Sequence, residues 1–134
     1  PTQFSETCLM VIDIDHFKQV NDVYGHLMGD QVIQFVAEKL KENIRTSDLL
    51  VRYGGDEFIV LIENVGMERA LKIAEKIRSE IYEAKPLDNV RCPDLKVSIS
   101  IGVAIGATSW MALLEKADRA LFQAKEQGKN KVAS

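Results

Sequence analysis

The chain has 134 residues, the size of one domain, and its 46% hydrophobic and 28% charged residues are typical of a globular protein with its own core. A formal net charge of -3 argues against sequence-independent binding to nucleic acid, which requires a broad basic surface. No apolar run reaches the length of a membrane span and no signal peptide opens the chain, so we expect this fragment to make no direct membrane contact.

The two cysteines, Cys8 and Cys92, lie far apart in the sequence, and neither belongs to a spacing typical of metal ligands. We expect two free thiols in a reducing cytosol; a disulfide between them is an alternative without support. The chain begins at Pro1 rather than at an initiator Met. We therefore expect a fragment of a longer cytoplasmic protein, in which any membrane tether belongs to upstream domains.

The first predicted strand ends in acidic residues. Residues 8–12 form a continuous apolar run, which indicates a strand buried on both faces. Asp13 and Asp15 follow this run, at the carboxyl end of a central strand, where open α/β sheets bind ligands. The sequence therefore predicts a ligand site at this end of the strand.

Two helices are predicted next. The first covers residues 16–24 and is stopped by Gly25. Asp30 is predicted to be the N-cap of the second, which covers residues 31–42. The spacing of one helical face predicts the residues that the second helix buries: Val32, Ile33, Val36, Leu40 and Ile44.

Two glycines then separate two apolar runs, residues 48–51 and 58–62. Gly54 and Gly55 predict a tight hairpin, because such turns need positive φ angles that glycine adopts at little cost. Asp56 and Glu57 follow the glycines directly, and a metal-bound phosphate could approach such a bare backbone turn closely. The plain alternative is an ordinary hairpin with acids on its surface.

The second half of the chain predicts two long helices around one strand. A helical pattern covers residues 67–84, and residues 85–94 form a loop with two prolines. Strict alternation over residues 95–105 predicts a strand whose other face is small, so that a helix or ligand packs closely on it. The final helix starts at Trp110 and is ended by Gly128, before an edge strand at 131–133. This order predicts an α+β layer of ferredoxin-like topology.

Many segments of the chain, in the right order, resemble the GGDEF family, the bacterial diguanylate cyclases. They are Asp13-Ile14-Asp15-His16-Phe17-Lys18, Asn21-Asp22, Tyr24-Gly25-His26, Gly29-Asp30, Arg52-Tyr53-Gly54-Gly55-Asp56-Glu57-Phe58, Ser100-Ile101-Gly102-Val103-Ala104, Ala117-Asp118, Ala124-Lys125 and Gly128-Lys129-Asn130. The resemblance implies a central, mostly antiparallel sheet wrapped by helices, related to the palm of class III nucleotidyl cyclases and polymerases. The family's usual opening, Asp-x-Leu-Thr-Gly-Leu-x-Asn-Arg-Arg, is absent before Cys8. We therefore expect residues 1–134 to be a single GGDEF domain, truncated at its N-terminal end.

The family joins two GTP molecules into cyclic di-GMP and releases pyrophosphate twice. The resemblance implies a divalent cation, Mg²⁺ or Mn²⁺, held by Asp13, the backbone carbonyl of Ile14, and Asp56. It places Glu57 on a second cation or near the nucleophile. These three acids are thus the expected catalytic residues. The structural alternative for Asp13 is a cap for the helix that follows.

The resemblance also assigns residues to the nucleotide. The backbone N–H groups of His16 and Phe17 open a helix and offer an anion site. Lys125 and Lys129 match the phosphate clamp of the family, although such lysines are more often a solvated face or partners of the helix dipole. Gly54 and Gly55 would let phosphate approach the backbone. The guanine base would be bound by Asn21 and Asp30, whose plain alternatives are a helix-surface residue and an N-cap.

Arg45 and Asp48 form an Arg-x-x-Asp motif before the hairpin. Alone, this motif is common, and its plain alternative is an ion pair of little energetic worth at a helix end. Its position, with five residues between Asp48 and Gly54, matches the family's inhibitory site. We therefore expect the product, cyclic di-GMP, to bind there and to limit the enzyme.

Three functions remain open at this point. The first is an active diguanylate cyclase, the second a weak or inactive domain that binds GTP or cyclic di-GMP, and the third a cyclase acting on a single nucleotide. The complete set of expected acids favours the first. Because the chain offers one set of site residues and the product contains two guanylates, we expect catalysis in a transient homodimer.

Overall fold

The computed structural model describes residues 6–85 and 92–134. Its elements follow the predicted order of strand, two helices, hairpin, helix, strand and helix. They are β1 (Thr7–Ile14), α1 (Phe17–Tyr24), α2 (His26–Glu42), β2 (Leu49–Arg52), β3 (Glu57–Glu63), α3 (Met67–Glu83), β4 (Ile99–Ile105), α4 (Trp110–Glu126) and β5 (Val132–Ala133). None of the helices in these ranges is long and apolar enough to cross a membrane.

The strands form one five-stranded sheet in the order β2-β3-β1-β4-β5. β1 is central and runs antiparallel to both β3 and β4, β2 is antiparallel to β3, and β5 is parallel to β4. The predicted α+β fold with a mostly antiparallel central sheet is therefore confirmed. The end of β1 consequently lies between two neighbouring strands, which can bring further side chains to the acids there.

The two faces of the sheet are covered by different helices. On one face, alternate residues of β1 such as Met10 and Ile12 belong to a large core cluster with buried residues of α2 and α3. On the other face, Leu9 and Val11 pack with buried residues of α4. β1 is thus buried on both faces, as its continuous apolar run predicts, because helices pack on both of its sides.

The close approach of α4 to β4 depends on Gly102. A Cβ atom at this position would lie 2.2 Å from the carbonyl oxygen of Ala117 and 2.3 Å from the amide nitrogen of Leu121. These are backbone atoms, which cannot give way cheaply, so glycine is required by packing. The prediction that a helix packs closely on the small face of this strand is confirmed.

Several local predictions are wrong. α2 begins at His26, so Asp30 is an exposed residue inside the helix and not its N-cap. The chain forms α2 directly after Gly25, whose φ of 92° turns the backbone between the two helices. Ile44 lies beyond the end of α2 and is only partly buried. The side-chain pattern alone did not locate this start, because the first turn of α2 contains Gly29 and an exposed Leu27, and Asp30 is a good capping residue.

The strand predicted over residues 95–105 is shorter, since β4 begins at Ile99. Leu95 and Val97 are nevertheless buried, so the alternation marks burial correctly beyond the end of hydrogen-bonded pairing. The loop predicted over residues 85–94 falls partly on residues 86–91, outside the described residues. Cys8 and Cys92 are both buried free thiols, as the sequence predicts for the thiols themselves.

One half of the α4 face of the sheet is open. Beside the part that α4 covers, β2 and β3 present Leu49, Val51, Ile59 and Leu61 to an apolar groove of about 280 Å³, which Trp110 borders. Burial along β3 consequently alternates between buried and half-buried residues up to the exposed Glu63, although residues 58–62 are all apolar. β2 is an edge strand and is mostly exposed.

Candidate active site

Three strands bring the acidic residues of the site together. Asp13, near the end of β1, lies opposite Glu57 on β3 and Ser100 on β4. The next residue, Ile14, donates a backbone hydrogen bond to the carbonyl oxygen of Asp56 at 3.0 Å. The end of the central strand is therefore joined directly to the turn that carries both other acids, although they are more than 40 positions away in the sequence.

Asp13 is a buried carboxylate with one oxygen unused. Its residue exposure is only 8%, and one oxygen, Oδ2, accepts a hydrogen bond from the ammonium group of Lys125. Its other oxygen, Oδ1, is buried and has no hydrogen-bond partner among the described residues. Burial raises the pKa of Asp13 above its usual range, and the neighbouring charge of Asp56 adds to the rise, while Lys125 opposes it. Such a group is stabilised by any cation that reaches its free oxygen.

The negative charges of the neighbouring acids also raise the pKa values of Glu57 and Lys125. Burial, and then the charge of Asp13, raise the pKa of Glu57, and Asp118 on α4 adds to that rise. Burial on its own lowers the pKa of Lys125, but its hydrogen bond to Asp13 and the charges of the acids outweigh this, so that the net pKa is raised. Lys125 is thus firmly held as a cation among carboxylates. The contribution of Asp118 to the pKa of Glu57 was not identified from the sequence.

The turn between β2 and β3 differs from the predicted one. Neither Gly54 nor Gly55 has a positive φ angle, so a left-handed backbone is not the reason for these glycines. A Cβ atom at Gly55 would meet nothing within 4 Å, and at Gly54 it would make only ordinary contact with Glu57. Arg52 donates two hydrogen bonds to the turn, from Nε to the carbonyl oxygen of Gly54 at 3.3 Å and from an Nη atom to that of Gly55 at 2.7 Å. The surface of the turn is left bare, which suits an approaching ligand rather than internal packing.

The residues at this junction fit a divalent cation bound together with a phosphate. In residues 6–85 and 92–134, no three His, Cys, Asp or Glu side chains converge closely enough to hold a metal ion unaided. Mg²⁺ is commonly bound by only one or two carboxylates, with substrate phosphates and water completing its shell. The free oxygen of Asp13, the nearby Asp56 and the carbonyl group at Ile14 are hard oxygen donors of that kind.

A left-handed residue begins the helix that follows β1. His16 has a φ of 55°, and α1 begins at Phe17 without a side-chain hydrogen bond to its first N–H groups. A left-handed residue followed by helical ones turns successive N–H groups toward the same side, which forms an anion-binding concavity. The predicted anion site at His16 and Phe17 therefore has suitable backbone geometry, and Asp13 does not cap this helix.

Lys125 and Lys129 are held by different means. Lys125 lies in the last turn of α4, whereas Lys129 lies beyond the helix, in a turn where it has a φ of 64° and Asn130 one of 50°. The amide group of Lys129 donates to the carbonyl oxygen of Ala124 at 3.1 Å, which closes the helix. The two lysines therefore do not share a regular helical face, and the position of Lys129 depends on the turn.

Asn21 and Asp30 lie on facing helices. The side chain of Asn21 approaches α2 so closely that a Cβ atom at Gly29 would be 1.9 Å from its Oδ1 atom. A side chain at position 29 would therefore displace the Asn21 amide, and the contact places Asn21 beside the residue that precedes Asp30. Asp30 itself is exposed. The two predicted guanine-binding residues are thus brought to one junction of α1 and α2.

Asp15 is a buried acid whose surroundings the sequence did not indicate. Its Oδ1 accepts a hydrogen bond from Ser100 at 2.7 Å, and its Oδ2 accepts one from Ser98 at 2.7 Å. The same Oδ2 accepts a third bond, from the backbone N–H of Asn130, at 2.9 Å. Asp15 therefore ties the end of β1 to the region around the start of β4 and to the turn after α4.

Arg45 and Asp48 form a second polar site on another part of the surface. The Asp48 carboxylate is almost fully buried and accepts from the backbone N–H of Arg45 at 2.8 Å and from its guanidinium at 3.2 Å. The guanidinium also donates to the carbonyl oxygen of Glu63 at 3.0 Å. Both residues line a cavity of about 330 Å³, to which α3 contributes basic side chains that the sequence reasoning missed: Arg69, Lys72 and Lys76. Their spacing of three and four residues along one helix was the available signal.

Comparison with known proteins gives consistent results. The chain matches the family model described as diguanylate cyclase, GGDEF domain, over residues 2–131. It is 44% identical over 128 residues to the probable diguanylate cyclase DgcT of Escherichia coli strain K12, covering 93% of this chain and 28% of DgcT. It is 39% identical over 126 residues to the diguanylate cyclase DosC of the same strain, covering 92% of this chain and 27% of DosC. The chain thus spans less than a third of either relative.

A solved structure shares the fold. The GGDEF domain of DgcB from Caulobacter crescentus, determined in complex with c-di-GMP, matches with a TM-score of 0.89 at 34% sequence identity. The match covers 95% of this chain and 76% of that one. The similarity therefore extends over nearly all of the sheet and helices described above.

Proposed function

Because this chain belongs to the GGDEF family of diguanylate cyclases, we propose that it condenses two GTP molecules into cyclic di-GMP with release of two pyrophosphates. In each half of the reaction, the 3′-hydroxyl oxygen of one GTP attacks the α-phosphorus of the other. The hydroxyl proton is lost, the bond from the α-phosphorus to its bridging oxygen breaks, and pyrophosphate leaves with the electron pair. This chain's residues must therefore hold a triphosphate, orient a guanine and present a hydroxyl group.

The observation that supports this proposal most is the unused oxygen of Asp13 at the junction of β1 with the β2–β3 turn. A buried carboxylate oxygen without a donor is costly unless a cation or proton joins it. Asp13, the Ile14 carbonyl group and Asp56 would hold Mg²⁺ or Mn²⁺, and Glu57 would bind a second ion or lie near the nucleophile. When bound, such ions supply positive charge to the attacked phosphate and to the leaving oxygen.

The remaining side chains bind and orient the nucleotide. Lys125 and Lys129 would neutralise phosphate oxygens, and the N–H groups of His16 and Phe17 would donate to others. The ammonium group of Lys125 would exchange its contact with Asp13 for one with phosphate as the cation arrives. In this exchange neither Asp13 nor Lys125 would lose its counter-charge, because the cation would replace Lys125 at Asp13 and phosphate would replace Asp13 at Lys125.

Guanine selection would rest on the junction of α1 and α2. Asp30 would accept hydrogen bonds from the N1–H and the exocyclic amine of guanine, which adenine does not offer in that arrangement. Asn21, held against Gly29, can both donate and accept. Since Asp30 does not cap α2, its exposed carboxylate is available for this role.

Each domain would present one GTP, and catalysis would occur where two domains face each other. The product contains two equivalent guanylates, so a two-fold arrangement of two copies is the simplest that forms both bonds. The partner would be a second copy in a transient homodimer. Cyclic di-GMP would bind in the basic cavity around Arg45 and Asp48 and limit turnover, because three cations of α3 and the Arg45 guanidinium suit its two phosphates.

The experiment is to incubate the protein with GTP and Mg²⁺ and to identify the products by mass spectrometry, with ATP in a parallel reaction. We expect cyclic di-GMP and two pyrophosphates for each, and no product from the Asp56→Asn variant. Asp94→Asn, a change of an exposed acid outside the site, is the matched control and should behave like wild type. GTP binding without any product would instead indicate a binding module, and a cyclised mononucleotide would indicate an intramolecular cyclase.

A further inference from the structure

We propose that Asp15 is a positioning residue, which holds the turn after α4 so that Lys129 meets the triphosphate. This inference rests on the proposed function, and it assigns a role to an acid that does not itself contact the nucleotide. Asp13 and Asp15 are two residues apart, with Asp13 near the end of β1 and Asp15 just beyond it, yet their surroundings differ. One oxygen of Asp13 is free, whereas both oxygens of Asp15 are used.

The hydrogen bonds of Asp15 argue against a role as a cation ligand. Ser100 donates to one oxygen, and Ser98 and the backbone N–H of Asn130 donate to the other. All three donors belong to the protein, and the residue is only 7% exposed. A cation could reach this carboxylate only after such bonds are broken, while Asp13 offers a free oxygen nearby.

The turn that Asp15 holds needs an external support. Lys129 and Asn130 both have left-handed backbones, with φ angles of 64° and 50°, and two consecutive residues of this kind are uncommon outside glycine. The N–H of Asn130 reaches the carboxylate of Asp15, and its side-chain oxygen accepts from Arg78 on α3 at 2.8 Å. Both bonds are charge-assisted, because the Asp15 carboxylate and the Arg78 guanidinium are ionised, and of the two the bond to Asp15 is the one that fixes the backbone of Asn130.

Lys129 lies between two fixed points. On one side its own N–H closes α4 on Ala124, and on the other side Asn130 is fixed to Asp15. The carbonyl oxygen of Lys131 then accepts from Ile101 of β4 at 2.9 Å. Asp15 therefore contributes to setting the direction in which Lys129 leaves the backbone, and Asp15 itself lies directly after the strand that carries Asp13.

The test measures how tightly nucleotides bind, using a GTP analogue whose α–β bridging oxygen is replaced by a methylene group, and GMP, both with Mg²⁺, by calorimetry. Asp15→Ala should raise the Kd of the triphosphate analogue roughly tenfold, which corresponds to the loss of one charge-assisted hydrogen bond, and should change the Kd of GMP by no more than about twofold. Asp15→Asn should restore most of the loss, because its amide oxygen can accept from Asn130 while its NH₂ group donates to the hydroxyl of Ser100. A cation ligand would not be rescued in this way.

A double-variant cycle checks the route through Lys129. If Asp15 acts by positioning Lys129, then Asp15→Ala should add little to the loss already caused by Lys129→Ala. Fully additive losses would overturn the inference. Equal weakening of GMP and the analogue in a folded Asp15→Ala protein would overturn it too, since that would be a general structural effect.

A milder variant keeps the test decisive if Asp15→Ala does not fold. Ser100→Ala removes one of the three donors to Asp15, the one that binds its Oδ1, and we expect the affinity for the analogue alone to fall several-fold. Ser109→Ala is its matched control, because the Ser109 hydroxyl oxygen also takes part in one hydrogen bond, which it accepts from the backbone N–H of Ala112 at the opposite end of α4. Equal affinities in these two variants would refute the role of Asp15. Failure of the wild-type protein to bind the analogue would refute the proposed function itself, and the inference with it.

Discussion

Replacing Asp13 by asparagine should abolish product formation while leaving the cation-free domain nearly as stable as wild type. The sign of the stability change follows from the pKa of Asp13, which burial raises above the ordinary aspartate value of 3.8. Between that value and the raised one, the folded state binds more protons than the unfolded state, so stability falls as the pH rises through this window. At neutral pH the ionised carboxylate is therefore a net cost to the cation-free fold, and each pKa unit of the rise corresponds to about 1.4 kcal/mol.

The opposing effect is the loss of the ion pair with Lys125. Breaking a fully buried pair costs about 3–5 kcal/mol, but the Lys125 side chain is 38% exposed and can turn toward water or toward Glu57. The pair is thus closer to a surface ion pair, worth at most about 1 kcal/mol. We therefore expect the free energy of unfolding of Asp13→Asn to lie within about 1 kcal/mol of wild type, which for a domain of this size corresponds to a shift of less than about 5 °C in Tm.

The assay is thermal unfolding with and without Mg²⁺ and the methylene analogue of GTP, next to product analysis. Ligand at about 100 times its Kd should stabilise wild type by about 2.7 kcal/mol, or roughly 10 °C, and Asp13→Asn should lose most of this shift. An equal ligand-induced shift in both proteins, or near-normal turnover of the variant at saturating Mg²⁺, would refute the ligand role of Asp13. A fall of 3 kcal/mol or more in the free energy of unfolding of the cation-free variant would contradict the conclusion that the charge of Asp13 destabilises the cation-free fold.

Three further predictions concern the other parts of the site. Asp30→Ala should weaken the binding of GTP by roughly 1.5–3 kcal/mol relative to that of ATP without lowering Tm, because Asp30 accepts hydrogen bonds from guanine and is not a helix cap. Competition binding measures this preference, and an unchanged preference for GTP would contradict the guanine-binding role of Asp30. Arg45→Ala should relieve inhibition by accumulated cyclic di-GMP and keep the initial rate, so that its progress curves stay straight where those of wild type bend; equally bent curves would exclude the inhibitory site. Specific activity should rise with enzyme concentration, and with fusion to a dimeric coiled coil, since encounter of two GTP-loaded domains is required. A monomeric protein with constant specific activity on dilution would contradict this mechanism.

The sequence predicted the elements and their order because its apolar patterns are strong. The run at residues 8–12 and the alternation at residues 95–105 reflect burial, and burial is what the structure shows at both places. Boundaries were less certain, since hydrogen-bond pairing begins only at Ile99 and α2 starts before Asp30. In the sequence, an Asp inside a helix cannot be distinguished from an Asp at the N-cap of a helix.

The candidate site was predicted less completely than the fold. The motif residues around Asp13 and Asp56 could be named from their pattern, but the charge state of the cluster depends on burial and on Lys125, which lies 112 residues away from Asp13. The reason for the two glycines of the turn was also misjudged, because neither has a positive φ angle and a side chain would fit at both positions, so the fold itself does not require them. Long-range contacts of this kind leave no periodic signal in a single sequence.

The contrast between Asp13 and Asp15 shows how one strand end can bind and support at the same time. Both carboxylates are buried, and burying a charge is costly unless hydrogen bonds or a counter-ion compensate for it. At Asp15 the protein provides that compensation with three donors, and the result is a fixed turn beside the site. At Asp13 it provides only Lys125 and leaves the other oxygen bare, so that a cation can complete the compensation. A domain that only needed stability would satisfy both acids, and the incomplete satisfaction of Asp13 alone therefore favours a bound cation there.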